Sequence, residues 1–267
     1  MSLHPTNGTS SLLRALHRTQ TRMDRTFTHL ATGKRIAKAS DDAAGLAIGR
    51  RLEAEVRGLS QGERNLADGM SYVQTAEGSL QSHHDTLGRM RELSVQARNG
   101  TLSDGDRAVI QQEYDQLAAS LDQTADGARF GDQNLLDGSA SGSGAPSFTD
   151  GSGEDVRVEI GDMDSEHLGV RGRDVADPET LDAIDAAIDD VSRTRASLGA
   201  THNRMAYRAE SVATMRVNAE ESRSRIEDAD YAKEVADLTR DRILLQMQVS
   251  GLVRSGQVNK ATLDLLG

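Results

Sequence analysis

Cysteine is absent from this 267-residue chain, and tryptophan with it. The first absence excludes disulfides, thiolate catalysis and Cys-based metal sites, and it leaves the redox compartment open. Three Phe and four Tyr hold the aromatic content at 3%, and charged residues make up 27%. With a mean hydropathy of -0.54, this argues against a thick globular core, which aromatic side chains usually dominate. Long helices sharing thin seams fit better. Apolar residues are regularly spaced, so composition does not imply disorder. No apolar run approaches the roughly 20 residues that span a bilayer, so no membrane insertion is expected. The first 30 residues hold no run of signal-peptide length, and Arg14, Arg18, Arg22 and Arg25 interrupt them. The expectation is a protein that is cytoplasmic or exported without a cleaved signal. A net charge of -11 removes nucleic acid from the partners. Short basic runs such as Gly33-Lys34-Arg35 and Arg50-Arg51 have acids close by and read as solvated faces or ion pairs.

What is present is periodicity. Leu52, Leu59, Leu66, Val73, Leu80 and Leu87 recur every seven positions, the pattern of a helix with a narrow seam, and Gly62, Gly69 and Ala76 leave room for a close neighbour. Ser40-Asp41-Asp42 supplies a cap and an acidic first turn, and Asn99-Gly100 a stop. The helix between them spans about 59 residues, roughly 90 Å if continuous. A second arm opens at Asp177-Pro178-Glu179 and carries Ile184, Val191, Leu198, Met205, Val212, Ala219 and Ile226 at the same interval. Two such arms separated by a reversal predict side-by-side antiparallel packing. Ser103 with Asp106 opens a third helix that runs to about residue 127, with Val109, Ile110, Tyr114, Leu117 and Leu121 as its apolar residues.

Residues 138 to 153 form a flexible Gly/Ser/Pro-rich stretch. Val156, Val158 and Ile160 then alternate as a short strand, whose expected partner is residues 128 to 138. The chain ends match each other. Leu13, Leu16, Met23, Phe27 and Leu30 fall at 3-and-4 spacings near the start, with Gln20 in the gap. Val235, Leu238, Leu245, Val249 and Leu252 do the same near the end, with Arg242 in the gap. Each makes an amphipathic helix with too little apolar surface to stand alone, so both need partners, either each other or other copies.

Catalytic and binding chemistry is missing from the pattern. None of the seven His pairs at the spacing of a helical metal site, and His83-His84 point to different sides of a helix. "ATGKRI" lacks the earlier glycine and the Ser or Thr of a phosphate loop. "DMDSEH" lacks the glycine and glutamate of a calcium loop. Glu227, Asp228 and Asp230 read as a solvated acidic face. Asn7-Gly8-Thr9 and Asn99-Gly100-Thr101 fit a glycosylation pattern too common to carry weight. No enzyme activity, metal or cofactor is expected.

Residues 29 to 80 closely resemble the N-terminal core of bacterial flagellin, through "SDDAAGLAI" at 40 to 48, "RNLADGMS" at 64 to 71 and "QTAEGSL" at 74 to 80. "MRELSVQARNGTLSDGDR" at 90 to 107 and "RFGDQNLLDGS" continue the resemblance, and "SRSRIEDADYAKEVADLTRDRILLQ" resembles the C-terminal core. The match spans roughly residues 10 to 138 and 178 to 267. It implies a mainly α fold, an elongated antiparallel helical bundle or coiled coil with a small β-hairpin region. Residues 1–40 and 228–267 would form the terminal coiled coil of the inner tube. Residues 41–138 and 170–227 would form a helical rod, and 139–169 a short Gly/Ser and β region in place of outer domains. It implies a homopolymer, the extracellular flagellar filament, whose subunit is exported through the flagellum's own type III channel and folds on assembly. Partners would be an export chaperone and the hook–filament junction and cap proteins. The ten apolar residues of the terminal helices would be the assembly residues. Arg89, Leu93 and Glu113 match a patch that the innate receptor Toll-like receptor 5 recognises in some flagellins, though the same face packs on the next subunit and Leu93 also suits a seam. The closest rival is a hook–filament junction protein, and a role as adhesin or receptor ligand could coexist. The extreme N-terminus fits the family loosely, and "SGQVNKATLDLLG" lacks a proline often found there.

Overall fold

A computed structural model describes residues 6–264 of the chain, with side chains from 10 to 257. Five α-helices carry most of it: α1 (Thr6–Thr32), α2 (Ala43–Ala97), α3 (Asp104–Gly127), α4 (Pro178–Glu227) and α5 (Tyr231–Asp264). Four short strands lie between α3 and α4: β1 (Arg129–Phe130), β2 (Gln133–Asn134), β3 (Ser147–Thr149) and β4 (Asp155–Arg157). β1 pairs antiparallel with β2, and β3 with β4. The caps fall where short polar side chains can replace missing helical partners. Asp42 Oδ1 accepts the Gly45 amide at 2.9 Å before α2, and Asp177 Oδ1 accepts the Glu179 amide at 3.0 Å before α4. Ser103 and Asp106 form a reciprocal capping box on α3. The Ser103 hydroxyl, donating to Asp106, holds that carboxyl below its usual range.

The chain divides into two compact units, residues 57–217 and the combination of 1–56 with 218–267. In the first, the seven-residue series become one core. Leu59, Leu66, Val73, Leu80 and Leu87 of α2 are buried together with Ile184, Val191, Leu198, Met205 and Val212 of α4. Cross-helix pairs run Glu63–Arg216 at 2.9 Å, Gln74–His202 at 3.3 Å and Arg91–Asp185 at 2.6 Å. Each advance along α2 therefore meets a retreat along α4, the antiparallel packing the periodicity predicts. α3 adds Ile110, Tyr114 and Leu121 to the same core. The Tyr114 hydroxyl donates to the Val170 carbonyl at 2.8 Å, and burial pushes its pKa to about 12.

The β region corrects one expectation. Val156, Val158 and Ile160 are buried as their alternation predicts, but β4 pairs with β3, drawn from the stretch expected to be a flexible loop. The expected partner folds back on itself as β1–β2, because Gly131 at φ +60 permits a tight reversal there. β3 is fixed by Phe148, whose ring centroid lies 5.8 Å from that of buried Tyr72 on α2. Residues 128–138 still contact this segment further on, since the Leu136 carbonyl accepts the Met163 amide at 2.9 Å.

The β3–β4 turn sits directly on α2. A Cβ on Gly62 would lie 1.8 Å from the Asp150 carbonyl oxygen, and one on Gly151 would lie 2.3 Å from that of Gly58. Only glycine allows this approach. Asp150, its side chain fully buried, is ion-paired with Arg208 of α4 at 2.6 Å and accepts hydrogen bonds from the Ser152 and Glu154 amides and the Ser152 hydroxyl. Burial by itself would raise the Asp150 carboxyl, but these donors and Arg208 hold it below the usual carboxylate range.

Candidate assembly surfaces

In the unit formed by residues 1–56 and 218–267, α1 and α5 pack against each other. The apolar residues of the two helices, expected to meet each other or other copies, divide. Leu238 is buried, and Leu16, Met23, Leu30, Leu245 and Leu252 are half-buried. Leu13, Phe27, Val235 and Val249 are exposed, at 52%, 47%, 40% and 47%. Ile243, Leu244, Met247 and Val253 of α5 are also exposed, and the 3-and-4 spacing did not single them out. The guanidinium of Arg242 lies 5.8 Å over the Phe27 ring, so the residue filling the α5 gap serves as a cationic lid on an aromatic of α1.

Polar residues hold the pair together, and the sequence reading passed over them. Arg22 grips Asp241 with two hydrogen bonds, Nη2 to Oδ1 at 3.0 Å and Nε to Oδ2 at 3.2 Å. His29 Nδ1 lies 2.9 Å from Glu234 Oε1, and Gln248 Nε2 donates to Thr19 Oγ1 at 3.1 Å. Glu227, read as part of a solvated face, is buried at 3% exposure, whereas Asp228 and Asp230 are exposed. Its carboxylate takes Lys34 Nζ at 2.8 Å, and its carbonyl accepts the Arg35 amide at 2.7 Å. Gly49 on α2 makes room for it, since a Cβ there would fall 2.0 Å from Glu227 Oε1. The α4–α5 hand-over is thus stitched to the segment after α1, where the Gly33 carbonyl accepts the Ala229 amide at 3.0 Å. A buried acid ending one helix, faced by a lysine and a glycine far away in sequence, gives no local signal.

The matched receptor patch lies in the 57–217 unit. Arg89 is exposed and Glu113 half-buried, paired across α2 and α3 at 2.7 Å, and Glu113, with Glu92 assisting, raises the Arg89 pKa. Leu93 is 1% exposed and belongs to the core, the seam position its spacing also allowed.

Among the described residues no group of three His, Asp or Glu could hold a metal ion, and no helix is long and apolar enough to cross a membrane. His83 is buried between the Ser79 and Met163 carbonyls at 3.2 and 3.1 Å, as part of the packing. Of the two glycosylation-like triplets, Asn99-Gly100-Thr101 is an exposed turn in which Asn99 Oδ1 accepts the Thr101 amide. The side chains of Asn7-Gly8-Thr9 lie outside the described residues, as does the end of "SGQVNKATLDLLG".

Within their units, long helices are buried along heptad seams, and α1 pairs with α5 while both keep apolar side chains exposed, the features of a helical structural protein. Residues 6–141 match the bacterial flagellin N-terminal helical region, and residues 181–266 the bacterial flagellin C-terminal helical region. The flagellar filament 30.7 kDa core protein of Treponema maltophilum is 36% identical over 255 residues, covering 89% of this chain and 90% of that protein. A flagellin of Halalkalibacterium halodurans is 37% identical over 243 residues, 89% of each. The crystal structure of Bacillus cereus flagellin matches 56% of this chain and 88% of its own at 28% identity, with a TM-score of 0.49. The chain belongs to the bacterial flagellin family.

Proposed function

We propose that this protein is the self-assembling subunit of a bacterial flagellar filament, an extracellular structural polymer. The observation that carries the reading is the match of both helical ends to the family, together with the exposed apolar residues of α1 and α5. In this reading residues 1–40 and 228–267 form the inner-tube domain and residues 41–138 with 170–227 the rod. Leu13, Leu16, Met23, Phe27, Leu30, Val235, Leu238, Leu245, Val249 and Leu252 serve assembly, some within α1–α5 and the exposed ones between copies. Export runs through the flagellum's own channel with a chaperone, and the growing filament meets junction and cap proteins at its ends. Electron microscopy of the purified protein after salting-out or seeding tests the reading. Tubular filaments are expected, and monomers under every such condition refute it. A chain lacking residues 233–267 is expected to stay soluble and largely helical without polymerising, and filaments from it refute the assembly role of α5.

A further inference from the structure

Apolar contacts alone leave the pairing of α1 with α5 ambiguous. Leu16, Met23 and Leu30 are spaced by seven, and so are Leu238, Leu245 and Leu252. A slip of one heptad therefore returns apolar residues to apolar residues. The burial pattern points elsewhere for the discriminating force. Only four described side chains of the two helices are buried, and three of them are polar: Thr19, Thr26 and Asp241, with Leu238 the fourth.

We propose that the polar rungs Arg22–Asp241, His29–Glu234 and Thr19–Gln248 are the specificity determinants that fix the register of the terminal helix pair. The first two rungs share one register with Leu12 and Gly251, which face each other with the Leu12 Cδ2 3.9 Å from the position of a Gly251 Cβ. Ten residues on from Leu12 along α1, and ten back from Gly251 along α5, stand Arg22 and Asp241. Seven more in each direction stand His29 and Glu234. The third rung crosses diagonally, and Thr19 Oγ1 also donates to the Ala15 carbonyl at 3.1 Å. Slipping the pair by seven in one direction places Glu234 opposite Arg22 and Asp241 opposite Ala15; in the other it places Asp241 opposite His29 and carries Glu234 past the end of α1 at Thr32. Either slip keeps one charged rung where the observed register has two, and the first leaves Asp241, 2% exposed, without its partner, which is strongly disfavoured. A few polar contacts in an otherwise permissive helical seam specify register at some cost in stability. The rungs leave Leu13, Phe27, Val235 and Val249 outside the intramolecular seam. That this register matters for polymerisation rests on the filament reading; the register itself does not.

The absence of native Cys makes the test direct. Leu12→Cys with Gly251→Cys reports the observed register, and Leu12→Cys with Leu244→Cys the register slipped by seven, each linked by a short bifunctional thiol reagent. The full chain is assayed both soluble and salted out, with filaments scored separately by microscopy. The first pair is expected to link and the second not. Arg22→Asp with His29→Glu sets acid against acid on two rungs and is expected to lower the first link roughly fivefold or more. Adding Asp241→Arg and Glu234→Lys is expected to restore it. A first link unchanged by the acid–acid variant overturns the proposal, as does failure of the exchanged charges to restore it, or absence of that link in the parent under both conditions. A parent that links but forms no filaments contradicts the filament reading and leaves the register intact. Filaments whose first link ignores the acid–acid variant overturn the register proposal alone.

Discussion

Two glycines on one helix should answer the same substitution with opposite signs. Gly62 and Gly78 both lie on α2, and alanine at either position removes backbone freedom from the unfolded chain and improves helix propensity by about 1 kcal/mol. At Gly78 nothing lies within 4 Å of the new Cβ, so Gly78→Ala is expected to raise stability by about that amount. At Gly62 the Cβ would sit 1.8 Å from the Asp150 carbonyl oxygen and 2.1 Å from its carbonyl carbon. Both are backbone atoms, so no side-chain rotation relieves the overlap. Relief requires the β3–β4 turn to lift from α2 by at least about 1 Å, in an interior with few voids to absorb it.

Overpacking of this kind costs about 1–3 kcal/mol. Lifting the turn also pulls Asp150 away from Arg208, and breaking a buried pair outright costs about 3–5 kcal/mol. Arg208 keeps 26% exposure and can follow part of the way, so a fraction of that applies. Set against the helix-propensity gain, Gly62→Ala is expected to lose about 2–4 kcal/mol. Urea unfolding of the full chain followed by circular dichroism measures both variants, with Gly78→Ala as the internal reference. A Gly62→Ala chain as stable as the parent would show that the turn does not rest on α2 as described. Equal losses in both variants would show that the effect belongs to the helix and not to the contact.

Acid should weaken the 57–217 unit in two steps. Burial lowers the folded pKa of His83, with the Ser79 and Met163 carbonyls and Asp122 opposing, so below about 6.5 the unfolded chain takes up the proton first and stability falls with pH. Asp150 has a depressed folded pKa, so its contribution is present above the unfolded value of about 3.9 and is lost as pH falls through the folded one. Stability against pH for the parent and His83→Gln separates the two, and an upper step that persists in the variant refutes the assignment. Leu93→Ala is expected to cost about 2–5 kcal/mol as a core cavity, and Arg89→Ala far less, because its ion pair is exposed to solvent. Urea midpoints decide it, and similar losses in the two would refute the burial of Leu93.

Periodicity made α2 and α4 readable because a heptad is a local signal repeated many times. Six leucines or valines in register on α2 leave little freedom about which face is buried, and Ser103, Asp106 and Asp177 mark helix starts within a turn of where they occur. Strand partnership was not legible for the opposite reason. Val156, Val158 and Ile160 announce a buried strand, but a strand three residues long takes its partner from contacts distant in sequence, here Phe148 on Tyr72 and Asp150 on Arg208. The terminal helices are a third case. Leucine spacing identified two amphipathic helices and left open whether their apolar residues meet each other or other copies; within the pair Leu238 is buried, whereas Leu13 and Phe27 stay exposed. Thr19, Thr26 and Asp241 take three of the four buried positions among the described residues of the two helices. A polar residue in such a place is visible only once its partner is known, because Arg22 and Asp241 are ordinary surface residues until the fold sets them 3.0 Å apart. For a subunit that joins copies of itself, that distribution has a physical logic. Polar groups satisfied in pairs hold the two ends of one chain in a single register, while leucine, phenylalanine and valine side chains, which are undirected in their contacts, remain on the outside of the pair.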